Sequence, residues 1–138
     1  MTSPLSSLAV RWRGAPGTLC AAAVLLVLQT VGFAGFGLFE FGQLQAGRVM
    51  TGVITAVLLV AWGLVLLLGA YALLAGRVFA RGPVLAAELI QIPTAWSFRG
   101  GQTTWVALAL GISSLLVIVL VLLPASTRHL VGPRPAQP

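Results

Sequence analysis

"GPVLAAELIQIPTAWSF", Gly82–Phe98, is the stretch whose reading decides the fold of this chain. It is mostly apolar, yet it carries Glu88, Gln91 and an internal Pro93. Read as a membrane helix it gives a four-span protein; read as a surface helix or loop it gives three spans. As a helix it reaches about 25 Å, the short limit for crossing a hydrocarbon core of about 30 Å. Pro83 suits the first turn, where a backbone N–H has no helical partner. Pro93 would break a soluble helix, but membrane helices keep an internal proline when neighbouring groups satisfy the freed carbonyl.

Composition places the stretch in lipid. Of 138 residues 59% are hydrophobic and 7% charged, whereas soluble domains carry about 25% charged residues to face water. A chain this poor in charge cannot cover a soluble globule, and it is too short for a membrane part plus a second sizeable domain. The net charge of +6 comes from arginines set against Glu40 and Glu88 alone. Those arginines are scattered at the ends of apolar runs and form no basic stripe. That is the pattern of topology determinants, and it speaks against a nucleic-acid partner.

The apolar runs set the spans at 18–38, 49–76, 82–98 and 104–123. The first is too long for the hydrophobic part of a secretory signal and ends in "GFGLFEF", so it is expected to stay as an uncleaved span. The second, Val49–Gly76, would make about 42 Å of helix, enough to tilt or project. Pro124 stops the fourth. Residues 1–17 are expected as a cytoplasmic N-terminal segment, and 124–138 as a cytoplasmic Pro/Arg tail, loosely attached at most.

The arginines decide between three and four spans. With four spans and the N-terminus inside, Arg11, Arg13, Arg77, Arg81, Arg128 and Arg134 are cytoplasmic, and only Arg48 and Arg99 are outside. With three, Arg99 moves inside while Arg128 and Arg134 move out. The first division is the more lopsided, which favours four. Trp12 then falls at the inner interface and Trp96 and Trp105 at the outer one, as an aromatic belt requires; Trp62, in mid-span, is the exception. The opening stretch becomes the third helix, tied to the fourth by "RGGQT", where Gly100 and Gly101 permit positive φ. The two hairpins show no repeat of one another, which weakens an inverted-repeat transporter.

Depth identifies the polar residues that can meet. Glu88 lies about 9 Å along its helix from Gly82. Tyr71 lies at similar depth on the antiparallel neighbour and is the expected partner of its carboxyl. Gln91 is one turn further on the face of Glu88. Gln29 on the first helix and Ser113 and Ser114 on the fourth are at comparable depth, so a polar layer through the bundle is expected. One reading of that layer is interhelical glue or a neutral, packed Glu88. The other is a proton- or cation-coupled site on Glu88, or a contact for another subunit.

Small residues mark where helices approach. Gly52, Ala56, Gly63 and Ala70 form one stripe on the second helix, and Ala107, Gly111 and Ser114 another on the fourth. "GFAGFG" at Gly32–Gly37 lies inside an apolar run and precedes no lysine, so it is no phosphate loop. Glu40 reads as a solvated interface charge that could pair with Arg48, and Cys20 as a small packing residue or an acylation point near the inner boundary. With one cysteine, one histidine and no aspartate, neither a disulfide, a metal cluster, a Ser/His/Asp set nor paired carboxylates can be assembled. No enzyme and no cofactor is expected.

"RVFARGPVLAAELIQIPTAWSFRGGQTTWVAL", Arg77–Leu108, resembles a group of small four-helix integral membrane proteins of actinobacteria. The shared features are the Arg81-Gly82-Pro83 helix start and the pattern Gln91-x-Pro93-x-Ala95-Trp96. They cover about a third of the chain by motif, and the absence of lysine beside abundant Ala, Gly, Arg and Val fits a GC-rich genome. The resemblance implies the fold and brings no activity and no functional residue. The small multidrug transporters also have four helices and one membrane glutamate, but theirs is on the first helix, where this chain has Gln29. The expectation is therefore an all-α, four-helix antiparallel bundle in the cell's inner (plasma) membrane, with both termini cytoplasmic. Its expected role is a non-enzymatic scaffold or accessory subunit, partnered by the lipid bilayer and by another membrane protein or itself. The alternative is a proton-linked small transporter using Glu88.

Overall fold

A computed structural model describes residues 14–42, 47 and 49–131, which are helical without strands. The helices are α1 (Gly17–Gly42), α2 (Val49–Leu74), α3 (Arg81–Ser97), α4 (Thr104–Leu122) and α5 (Pro124–Val131). Short 3-10 turns, Val78–Ala80 and Gly101–Thr103, lead into α3 and α4. Three helices, α1, α2 and α4, are long and apolar enough to cross a membrane. At 17 residues, with Glu88, Gln91 and Pro93 inside it, α3 falls short of that measure. Arg11, Arg13, Arg48, Arg134 and Trp12, expected to help set the topology, lie outside the described residues.

The helix ends follow local chemistry. The first helix runs on through Phe39–Gly42, past the expected end at residue 38, because those residues carry a single charge, Glu40, and no proline. The second stops at Leu74, before the expected 76. Gly76 takes φ +69°, its N–H reaches Leu73 O at 3.0 Å, and the Arg77 N–H reaches Ala72 O at 3.0 Å. This paired closure needs a left-handed residue, which glycine supplies without steric cost. The third helix continues unbroken through Pro93, covering Arg81–Ser97 in place of the expected 82–98. Its turn to α4 uses Gly100 (φ +146°) and Gly101 (φ +59°). The Thr103 hydroxyl, 2.9 Å from Phe98 O and 3.0 Å from Gly100 O, closes it. Beside that turn Arg99 stacks on the exposed Trp96 at 3.6 Å, and Trp105 in the first turn of α4 is exposed as well.

Two antiparallel pairs, α1–α2 and α3–α4, make the bundle, and α1 is the helix that joins them by packing against α4. Small residues allow the approach. A Cβ on Gly63 would lie 3.4 Å from Thr30 O, and one on Gly37 3.3 Å from Ala56 O. The Thr30 hydroxyl is shared between Leu26 O of its own helix (2.9 Å) and Gly63 O of α2 (3.0 Å). Ala56, Gly63 and Ala70 of the expected α2 stripe are buried, and Gly52 is half-buried. On α4 Ser114 is buried while Ala107 and Gly111 are half-buried. The stripes did not include Gly69, where a Cβ would meet Val84 Cγ2 of α3 at 2.7 Å, nor Ala95, which faces Gly111.

The tail differs from expectation. Instead of hanging loosely, Pro124–Val131 forms α5 and closes one end of the bundle. Pro124 supplies the preset φ of a first turn. Ser126 and Leu130, one turn apart, are 0% and 4% exposed. The Ser126 hydroxyl donates to Leu120 O at 2.7 Å and lies 2.7 Å from the Thr18 hydroxyl of α1. Residues 132–138 lie outside the described residues. The hydrophobic core fills the α5 half of the bundle: Leu19, Ala22, Ala23 and Leu26 of α1; Leu66, Ala70, Leu73 and Leu74 of α2; Val84 and Ala87 of α3; Val117 and Val121 of α4; and Leu130 of α5.

Candidate functional site: a polar layer roofing the core

Every helix that reaches the middle of the bundle except α2 presents a polar side chain there. Gln29 follows Leu26 by three residues and so continues the buried face of α1 into polar chemistry. Glu88 follows Ala87 and Val84 on the buried face of α3, and Gln91 comes one turn later. Ser114 precedes Val117 and Val121 on the buried face of α4. These four side chains are 6%, 0%, 2% and 0% exposed, and all stand at the edge of the apolar core.

One amide ties the layer together. Gln29 Nε2 donates to Ser113 Oγ at 2.9 Å and to Glu88 Oε2 at 3.4 Å, using both of its protons. Ser113 passes its own proton to Leu110 O at 3.0 Å. Ser114 lies beside the Glu88 carboxyl but makes no hydrogen bond of good geometry to it. Five buried atoms have no partner among the described residues: Gln29 Oε1, Glu88 Oε1, both amide atoms of Gln91, and Ser114 Oγ. A buried polar group without a partner costs about 1–3 kcal/mol, so such groups are few and call for a reason. Here they are gathered at one level of one bundle.

Tyr71 is not part of the layer. It was expected beside Glu88 on grounds of depth, but its side chain is 51% exposed. Depth fixes the level of a residue on a helix and leaves its direction open. It is Ala70 that α2 turns inward there, at 2% exposure. Close approach of α2 to α3 occurs instead at Gly69 and Val84, below the layer. Of the remaining expected members, Gln29, Glu88, Ser113 and Ser114 are brought together, and Gln91 is buried one turn further along α3. Glu40 is half-buried near the far end of α1, and Cys20 is half-buried with its thiol 4.0 Å from Ala15 O.

The layer has an asymmetric setting. On its α5 side lies the continuous core. On the other side the buried residues of the long helices belong to the separate pairs: Gly37 against Ala56 in α1–α2, and Ala95 against Gly111 in α3–α4. Among the described residues no three of His, Cys, Asp and Glu come together. The layer therefore offers one carboxyl, two primary amides and two hydroxyls. Such a set can accept and donate protons, and its oxygens can ligate a hard cation. No family model, curated protein or solved structure matches the chain.

Proposed function

We propose that this chain is a four-span protein of the cell's inner membrane with both termini cytoplasmic, and that it works as a small proton-linked transporter through Glu88. The observation that carries the reading is Glu88 itself: fully buried, facing only neutral groups, and set among unpartnered polar atoms. Interhelical glue would spend its polar atoms on one another, and this layer leaves five of them over. An ionisable residue inside a membrane bundle is expensive to place and marks a function by default.

For α3 as the fourth span, the support is its surroundings. Leu89 and Ile90 are 58% and 54% exposed at the level of the layer, continuing the apolar outer surface of Leu28, Leu64 and Leu115. Exposed Val78 and Phe79 prolong that surface beyond Arg81. The resemblance of Arg77–Leu108 to four-helix actinobacterial membrane proteins argues the same way. The arginine division and the Trp96–Trp105 belt orient the bundle, with the α5 end inside. In a Cys20→Ala background, cysteines at Gly47 and Gln102 should react with an impermeant thiol reagent outside intact cells. One at Ala125 should not, and its labelling would sink the four-span topology.

The proton reading is tested on Glu88 directly. In detergent and choline buffer, the carboxylic-acid infrared band lost in Glu88→Gln should shift promptly on transfer to D2O while the protein stays folded. A band that shifts only on unfolding makes Glu88 a sealed structural acid and ends the reading. A scaffold or accessory role draws on a separate observation, the open apolar crevice along α1 and α2 lined by Gly37, Leu38, Ala56, Val57, Val60 and Leu64. It predicts that the protein copurifies with a fixed membrane partner and that Glu88→Gln leaves the cell unaffected.

A further inference from the structure

We infer that the polar layer is a monovalent-cation site, in which Na+ takes the place of the Glu88 proton. The inference rests on the reading of Glu88 as an exchanging carboxyl and adds the identity of what exchanges with the proton. Four of the five unpartnered atoms are oxygens: Gln29 Oε1, Glu88 Oε1, Gln91 Oε1 and Ser114 Oγ. They come from three helices, and each side chain is more than nine-tenths buried. A carboxylate with carbonyl and hydroxyl oxygens is a hard donor set, suited to hard cations and not to zinc or copper.

Charge selects the valence. Glu88 is the one titratable group of the layer. It is faced by Gln29 from α1 and Ser114 from α4, with Ser113 bonded to Gln29 and Gln91 buried one turn along its own helix, all neutral. The only titratable side chain of α2 is Tyr71, which is exposed and outside the layer. A proton or a monovalent ion on Glu88 makes the layer neutral. A divalent ion would leave a net positive charge in a low-dielectric interior with nothing to balance it. Size selects within the monovalent ions. Gln29 Nε2 already bridges Ser113 Oγ at 2.9 Å and Glu88 Oε2 at 3.4 Å, so α1, α3 and α4 are in hydrogen-bond contact at the layer and a small ion enters with less displacement.

The exchange balances. As Na+ binds, the carboxyl O–H bond breaks and the proton leaves to water, so the layer is neutral before and after. The Gln91 amide, which has no partner among the described residues, becomes a ligand through Oε1. The Gln29 amide keeps its Nε2 bonds to Ser113 and Glu88, and its unpartnered Oε1 is the ligand. The loosely packed half above the layer is the approach, because the core closes the α5 side.

The test compares NaCl, KCl and choline chloride at equal ionic strength on the full chain in detergent. NaCl alone should raise the thermal midpoint, since a ligand that binds only the folded state stabilises it. NaCl should also bleach the Glu88 carboxyl band, and acid should restore it. Glu88→Gln should lose both responses. Gln91→Leu should need about tenfold more Na+ or above, the usual loss when a metal site is weakened. If Gln91→Leu does not fold, Ser114→Ala carries the same expectation. Equal midpoints and bands in all three salts, or equal responses to KCl and NaCl, overturn the inference. A Glu88 band that exchanges in D2O but ignores Na+ overturns it and leaves the proton reading standing. A sodium-dependent midpoint with no exchangeable carboxyl band at any pH overturns both, because Na+ would then displace no proton.

Discussion

On the α5 side of the polar layer, five helices share one core; on the other side, the buried residues Gly37 with Ala56 and Ala95 with Gly111 meet within the separate pairs. The same four apolar helices cross both regions, so hydrophobicity cannot explain the difference. Where helices lie in lipid, apolar side chains gain nothing by leaving it, and association depends on close fit and hydrogen bonds. The fit in the core half comes from Ala22, Ala23, Ala70 and Ala87 interleaved with Leu19, Leu26, Leu66 and Leu73. In the other half, large side chains point outward: Leu38 is 71% exposed, Met50 74% and Trp105 71%. The polar layer sits on the boundary, at the edge of the shared core. The proposed one-sided access depends on that placement.

The harshest way to break the comparison is to separate α1 from α2 where the halves meet. Gly63 lies at the level of Thr30, one residue from Gln29, and its added Cβ would already be 3.4 Å from Thr30 O. Gly63→Leu should cost about 3 kcal/mol, the upper end of overpacking costs, because the backbones must part and the Thr30–Gly63 hydrogen bond is lost. Leu64→Ala, on the neighbouring exposed position, should leave stability nearly unchanged. Denaturant titration in detergent micelles measures both. A stable Gly63→Leu beside an unstable Leu64→Ala would mean that the packed face of α2 has been assigned backwards.

A milder variant pair compares the halves directly. Leu73 is 0% exposed in the core half, and Leu38 is 71% exposed in the other. Leu73→Ala should cost about 2 kcal/mol, the low end for buried leucines, since lipid and not water is the alternative environment. Leu38→Ala should cost close to nothing. Equal losses at the two positions would show that the halves are packed alike and would remove the argument for one-sided access.

Much of the layer was legible in the sequence, and its exceptions are instructive. Depth counting brings Gln29, Glu88, Gln91, Ser113 and Ser114 to one level because helical rise is uniform. It misplaces Tyr71 because facing depends on how each helix is rotated in the bundle, and rotation is set by contacts such as Gly69 with Val84 that a single sequence does not display. Turn glycines read well: Gly76, Gly100 and Gly101 hold the positive φ that ends or reverses a helix. Packing glycines read poorly where they fall outside a regular stripe, as Gly37 and Gly69 do. The opening stretch reads correctly as a helix through Pro93, while its length leaves it short of an unambiguous span. The α5 segment is the largest omission. "PASTRHLV" has the composition of a tail, and its helix is held by a site that exists only once α1 and α4 are side by side.

That dependence gives the smallest effect and the finest test of the core half. Ser126 is fully buried, and its hydroxyl connects α5 to Leu120 O of α4 and to Thr18 of α1, at 2.7 Å each. Ser126→Ala removes both bonds and leaves a carbonyl and a hydroxyl without their partner, a cost of about 1 kcal/mol. Leu130 still anchors the other turn, so the loss falls on the docking of α5 and not on the bundle. The global unfolding midpoint should hardly move. Hydrogen exchange should show the difference: amides of α5, including Thr127 N–H bonded to Leu123 O at 3.0 Å, should open about fivefold more often. Amides of Leu66–Leu74 should keep their protection. If α5 already exchanges as an unfolded chain in the parent protein, it does not close the core half. If Ser126→Ala leaves its exchange unchanged, Leu130 alone holds the helix and the hydroxyl bridge contributes nothing.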